Sequence, residues 1–303
     1  MKQIKQHPVK FDFNDRSVPS ETFSFEGNIY DIQTLPGKII FPHWQEDFEF
    51  IFVCSGKLEF HINQKGYIIS KGEGLFINAG QIHYAMSYQK YNCCFLSICV
   101  GKHMLYQNES DSIYQKYILP ISENPSFSHI PLIPRIPWQK YILELLKKIT
   151  AICETKNFGY ELKIQHFVPE IFYYILQNIS SLSPMAKKDQ KDIQRIKIMI
   201  QYLDETYSQK HTLADIAASC SLSNSECSRI FQRILPYSPV DYLIRLRIWK
   251  SFPLILAHEK SMTVIAKEVG FSGSSYFSET FKKVLGYTPR EFYKVWNSKQ
   301  FPM

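Results

Sequence analysis

No run of about 18 apolar residues occurs in the 303-residue chain, so a membrane-spanning helix is not expected. The opening Met1-Lys2-Gln3-Ile4-Lys5-Gln6-His7-Pro8 has no apolar stretch of the kind that directs secretion, so the chain is expected to stay where it is made, in the cytoplasm. The seven cysteines (Cys54, Cys93, Cys94, Cys99, Cys153, Cys220, Cys227) form no C-x-x-C pair, and their number is odd. That argues against a disulfide framework and against a zinc site of the usual spacing, and leaves free thiols in a reducing compartment. Excess charge is also missing from most of the chain. Up to residue 189, 19 Lys and Arg face 18 Asp and Glu.

What is present divides the chain. From Gln190 onward 16 basic residues face 10 acidic ones, so nearly all of the formal charge of +7 sits in the last third. A near-neutral front joined to a basic back is the pattern of a sensing domain tied to a polyanion-binding one. The length fits two domains, or two with a small helical segment between them.

Residues 20–100 read as short β-strands: Ile39-Ile40-Phe41, Phe48–Val53, Lys57–Ile62, Gly66–Ile69, Gly74–Ile77 and Cys93–Ile98. Ser55-Gly56, Asn63–Gly66, Lys71–Gly74 and Asn78-Ala79-Gly80 are read as the turns between them. Short strands at close spacing predict a barrel or jelly roll over 1–136. Helical spacing of apolar residues follows at 138–154 and 161–179, where Pro169 is expected to bend or split the second helix. We read 137–179 as a helical segment able to pair with a second copy or to pack back on the barrel, 180–191 as a linker, and 192–303 as all-helical. The fold class is thus α+β, multidomain.

The helical region repeats itself. Leu213-Ala214-Asp215-Ile216-Ala217-Ala218-Ser219-Cys220-Ser221-Leu222 aligns with Met262–Phe271 at an offset of 49 residues. Phe231 with Phe281, and Ser238-Pro239 with Thr288-Pro289, align at an offset of 50. Each copy has the parts of a helix-turn-helix. A small residue (Ala217, Ala266) sits at the crossing of two helices. Gly270 supplies the tight turn, which Ser221 replaces in the first copy. Ile216, Cys220, Leu222 and Ile230 form the first core, and Ile265, Val269, Phe271, Phe277 and Phe281 the second. Thr212 with Asp215 predicts a capping box. The outward face of each second helix is then free for a DNA major groove.

The segment from Gly270-Phe271 through Tyr276-Phe277 and Phe281-Lys282-Lys283 to Gly286-Tyr287-Thr288-Pro289 resembles the signature of AraC/XylS-type transcription regulators, and the likeness extends over about 193–295. The resemblance implies two helix-turn-helix subdomains joined by a linker helix at about 240–256, reading successive major grooves. By this pattern the DNA-facing positions are Ser225, Ser228, Arg229 and Gln232 in the first copy and Ser274, Ser275, Ser278, Glu279 and Lys282 in the second. Arg229 is the expected guanine reader, and Ser and Lys the phosphate contacts. Four positions depart from the pattern: Pro236 replaces a glycine, Glu279 and Tyr293 replace arginines, and Pro253 interrupts the linker helix.

The front half resembles the cupin-like barrel found ahead of this module, through Phe41–Gly56 and Gly72–His83. Metal-using cupins take ligands from an H-x-H, a Glu and a later His. Here His43, Glu49 and His83 fill three places but Gln45 stands in the fourth, and neutral Gln is a poor transition-metal ligand. No metal and no cofactor are expected. A pocket for a small polar effector such as a sugar is expected instead, lined by His43, Trp44, Glu49, Phe76, His83 and Tyr84. The resemblance further implies an activator, a homodimer and contact with RNA polymerase. The competing readings are a metal-dependent cupin enzyme with an attached helical domain, and a regulator whose barrel binds nothing and only dimerises.

Overall fold

The computed structural model describes residues 23–124, 127–179 and 187–297. They fall into two compact units that meet at about residue 190.

The first unit is built on antiparallel strands β1 (Phe25–Asp31), β2 (Ile39–His43), β3 (Phe48–Ile62), β4 (Lys65–Ser70), β5 (Gly74–Ile77), β6 (His83–Ser87), β7 (Cys93–Val100) and β8 (His129–Leu132). One sheet has the order β1-β7-β3-β5-β8, and the second joins β4, β6 and β2 to the other half of β3. The 15-residue β3 is therefore shared by both sheets. The sequence reading splits β3 at Ser55-Gly56; the structure instead bends the strand there through a bulge between Val53 and Ser55. Gly56 takes φ +77°, and a Cβ on it would collide with the Asn92 carbonyl, so the residue that reads as a turn is the corner of one strand. The reading names no strand at β1, β6 or β8.

Alternation along β3 separates two faces. Phe48, Phe50 and Phe52 point to one cluster with Phe76, Leu96, Ile98, Ile130 and Leu132. That cluster is closed by helices α2 (Pro137–Thr155) and α3 (Tyr160–Asn178), which follow the short helix α1 (Leu119–Ser122). Ile142, Leu145, Leu146 and Ile149 of α2 and Ile164, Val168, Ile171, Phe172 and Ile175 of α3 are buried in it. The apolar stripes predicted for these helices are thus spent on their own barrel, and residues 137–179 form one unit with it. The helix α3 runs unbroken through Pro169. The carbonyl freed by the missing N–H belongs to Gln165, whose exposure leaves water as a substitute partner.

The second unit holds helices α4 (Lys187–Thr206), α5 (Leu213–Ala218), α6 (Asn224–Ile234), α7 (Pro239–Ala257), α8 (Met262–Glu268), α9 (Ser274–Leu285) and α10 (Pro289–Asn297). The helix α4 begins inside the expected linker, whose residues 180–186 lie outside the described residues. The Thr212–Asp215 capping box forms as expected. Continuity of α7 through Pro253 gives a single 19-residue linker helix.

Candidate functional site

The two helix-turn-helix copies superimpose in their hydrogen bonds. At the turn, Leu222 N donates to Ala217 O (3.0 Å) and Phe271 N to Ala266 O (2.8 Å). Both alanines are buried, as a close helix crossing needs. The left-handed turn residue is Ser221 at φ +53° in the first copy and Gly270 at φ +88° in the second. Ile216, Ile230, Ile265, Val269, Phe271, Phe277 and Phe281 are buried as expected, whereas Cys220 and Leu222 are only half-buried, at the mouth of the first turn.

This scaffold fixes what each second helix offers to solvent. In α6, Ser223 caps the start, its Oγ accepting from Glu226 N (3.3 Å). Ser225, Arg229 and Gln232 are exposed and Ser228 is half-buried. In α9, Ser275, Glu279 and Lys282 are exposed, and Ser274 and Ser278 are half-buried. The exposed positions follow i, i+4, i+7 in both helices, which is one helix face. Tyr276, half exposed beside this stripe, is a further surface group that the sequence reading passes over.

Cationic side chains brace this scaffold. Arg233 and Arg195 both pair with the buried Asp192, tying α6 to α4. Arg247 of α7 donates through Nε to Tyr207 O (2.7 Å) and through its guanidinium to Gln209 O (2.6 Å). The same guanidinium closes over the turn of the second copy: a Cβ on Gly270 would lie 3.0 Å from Arg247 Nε and 2.7 Å from Ser208 O. No sequence pattern marks Arg247. Tyr293, where an arginine is expected, stacks on His258 at 4.2 Å.

A second constellation sits inside the barrel. Glu49 of β3, His83 of β6 and His43 at the end of β2 bring their ligand atoms within 4.8 Å of one another. His83 Nε2 is 2.8 Å from Glu49 Oε2, both side chains being buried. Ser97 Oγ donates to Glu49 Oε1 (2.6 Å). Gln45 Nε2 contacts Glu49 Oε2 (3.4 Å) and Cys99 Sγ (3.3 Å). The two imidazoles meet edge to face at 4.2 Å, and Phe60 stacks on His83.

Charge is divided among these groups by their surroundings. Burial, and then His83, pushes His43 down to about 4, so it is neutral. Burial also disfavours charge on His83, but Glu49 more than reverses this and raises it. Burial pushes Glu49 up, and the two histidines with Ser97 more than offset that, holding it ionised. Burial drives the Cys99 thiol and the Tyr30 hydroxyl up, and both stay protonated beside the carboxylate.

Of the expected effector residues, His43, Glu49 and His83 converge, and Trp44 adjoins His43 in sequence. Phe76 and Tyr84 do not join them. Phe76 points the other way, onto Phe172 (5.8 Å) in the helix-covered core. Tyr84 alternates away from His83 and stacks on His61 (4.5 Å). Ser97, which completes the cluster, lies in β7, and the sequence reads it only as part of the strand Cys93–Ile98.

Comparison with known proteins agrees with both halves. A family described as an AraC-like ligand binding domain matches residues 29–128, and one described as a helix-turn-helix domain matches 207–294. An uncharacterised HTH-type transcriptional regulator of Bacillus subtilis, YdeC, is 30% identical over 256 residues, 84% of this chain and 86% of that protein. The HTH-type transcriptional activator RhaR of Mannheimia succiniciproducens is 27% identical over 256 residues, 83% of this chain and 87% of that protein. A solved structure of ToxT from Vibrio cholerae aligns over 89% of this chain and 98% of its own, with a TM-score of 0.47 and 16% identity.

Proposed function

The chain belongs to the AraC family of helix-turn-helix transcription regulators, which are not enzymes, and from that premise we propose that it is an activator whose barrel binds a small polar effector. The observation that carries DNA reading is the matched pair of exposed stripes, Ser225-Arg229-Gln232 and Ser275-Glu279-Lys282, flanked by the half-buried Ser228 and Ser278, each on the second helix of its motif. Arg229 reads a guanine edge, its fork matching O6 and N7. Glu279 accepts from a cytosine amino group. The serines and Lys282 grip phosphates and fix the register.

Activation is supported by the relative RhaR, which is named an activator. The effector reading is supported by the buried Glu49 and His83 with the half-buried Gln45, Ser97 and His43 beside them. Such donors and acceptors suit a hydroxyl-rich molecule such as a sugar. A homodimer engaging RNA polymerase completes the proposal; Leu162 and Tyr173, exposed on the outer side of α3, suit the dimer contact.

The test is binding of the purified full chain to promoter DNA from its own chromosomal neighbourhood over a range of salt. Affinity is expected to fall steeply, with a log–log slope of about −0.9 per phosphate contacted. A flat salt dependence refutes groove binding. A panel of sugars scored by thermal shift tests the sensing half; a barrel that only dimerises responds to none.

A further inference from the structure

Given groove binding by both copies, as proposed above, we propose that Arg247 is the positioning residue that fixes the second helix-turn-helix against the first, and so sets which spacing between two operator boxes the chain accepts.

The two copies share α7, which packs on α5 and α6 of the first and on α8 and α10 of the second. Roll of one copy against the other about this helix is resisted by whatever crosses between them beside it. Arg247 holds such a crossing in place. Its Nε donates to Tyr207 O (2.7 Å) and its Nη2 to Gln209 O (2.6 Å). These carbonyls come just after Thr206, the last residue of α4, where a helix leaves acceptors without partners of its own. A guanidinium on two of them is a charge-assisted, two-pronged grip that fixes direction as well as distance. Between the two acceptors lies Ser208, and its carbonyl stands against the turn of the second copy. A Cβ on Gly270 would lie 2.7 Å from Ser208 O and 3.0 Å from Arg247 Nε. One side chain thus gathers the end of α4, the linker α7 and the Gly270 turn at a single point.

Each side of this joint leads to a recognition helix. In the first copy Asp192 of α4 pairs with Arg233 of α6, and Asp204 of α4 pairs with Lys250 of α7 (2.8 Å). In the second copy Phe271, next to Gly270, donates its N–H to Ala266 O (2.8 Å). Its ring meets Tyr276 and Phe277 of α9 at 5.6 and 5.2 Å. Packed contacts therefore run from α6 through α4, Arg247 and the Gly270 turn to α9. One base pair more or less between two boxes turns the second by about 35° and shifts it by about 3.4 Å. Braced copies do not follow that step, whereas copies joined by α7 alone roll towards it.

The test selects bound sequences from a pool of random-sequence DNA duplexes with the purified full chain, wild type or variant, and reads the spacing between the two enriched boxes. The wild type is expected to enrich one spacing, a change of one base pair costing at least the about fivefold in affinity that a single mismatched base pair costs. Arg247→Ala is expected to keep the box sequences but to accept neighbouring spacings at a smaller cost than that. Arg247→Lys keeps the charge and the stem without the fork, so its spacing is relaxed too, and it serves where the alanine variant does not fold. Arg245→Ala is the control. Its guanidinium lies over Tyr237, at the first copy's end of α7 (4.2 Å), and its removal is expected to leave the spacing unchanged. Strict wild-type spacing in both Arg247 variants, at whatever affinity, overturns the assignment and leaves Arg247 a stabilising residue; so does equal relaxation in Arg245→Ala. A wild-type chain that enriches no sequence refutes groove binding itself. Enrichment of a single box, or of paired boxes at freely varying spacing, overturns the brace alone.

Discussion

Gly270→Ala is expected to unfold the second helix-turn-helix well before the first. The backbone at Gly270 has φ +88°, and the left-handed region costs an L-residue about 1–2 kcal/mol. The added methyl would stand 2.7 Å from Ser208 O and 3.0 Å from Arg247 Nε, and overpacking of that kind adds about 1–3 kcal/mol. Stiffening of the unfolded chain returns about 0.4–1 kcal/mol. The net loss is roughly 2–4 kcal/mol, which for a unit of this size lowers Tm by on the order of 10 °C. Calorimetry of the full chain reads it as a downward shift of one transition. The equivalent turn residue Ser221, at φ +53°, already carries a side chain, so Ser221→Gly should stay within about 1 kcal/mol of wild type. A Gly270→Ala protein melting within about 2 °C of wild type, or equal losses at both turns, would refute the reasoning that the backbone, with Ser208 O and Arg247 Nε crowding the added methyl, makes Gly270 obligatory.

Arg229→Ala is expected to weaken operator binding and to relax preference at one base pair by about 1–3 kcal/mol, read by competition with single-base operator variants; Lys282→Ala should lower affinity evenly across those variants and reduce the salt slope by about 1. Asp192→Asn removes the partner of both Arg195 and Arg233; since each guanidinium is about a quarter exposed, denaturant melts should show a loss of about 1–2 kcal/mol, less than for a fully buried pair. Asp215 and Glu291 are held below the ordinary carboxylate range, first by the backbone N–H of Thr212 and Thr288 respectively and then by those residues' hydroxyls. A depressed carboxylate contributes stability above its unfolded value and loses it as pH falls through its folded one. Stability of the second unit should therefore drop as the medium is acidified below about pH 4.5, and Thr212→Ala with Thr288→Ala should flatten that profile.

The C-terminal unit was legible because its signals are local. The periodic apolar residues, the Thr212–Asp215 cap and the repeat at 49–50 residues mark out both helix-turn-helix copies, and the linker helix read at about 240–256 spans Pro239–Ala257. The barrel was less so. Ser55-Gly56 has turn composition, yet whether such a pair turns or bulges depends on the Asn92 loop packed against it, a partner distant in sequence. Phe76 and Tyr84 are read into the pocket as aromatic groups near the barrel mouth, while strand alternation and the neighbouring sheet decide which way they point. Of the polar cluster, His43, Glu49 and His83 were visible through the family resemblance. Ser97 and Cys99 were not, because they meet Glu49 only through the β3–β7 register.

That register has a mechanical meaning. Glu49 stands between Phe48 and Phe50, and both of those rings press on Phe172 of α3, at 4.9 and 5.9 Å. One strand thus works as a see-saw plank, with the polar cluster loading one side and a helix resting on the other. A pull on the Glu49 carboxylate would tilt β3 about its pleat and shift the two phenyl rings, because a close-packed interior passes a displacement on rather than absorbing it. The helix that receives it carries Leu162 and Tyr173 on its far side. A ligand drawing on Glu49 would be linked to the outer surface of α3 through three aromatic rings.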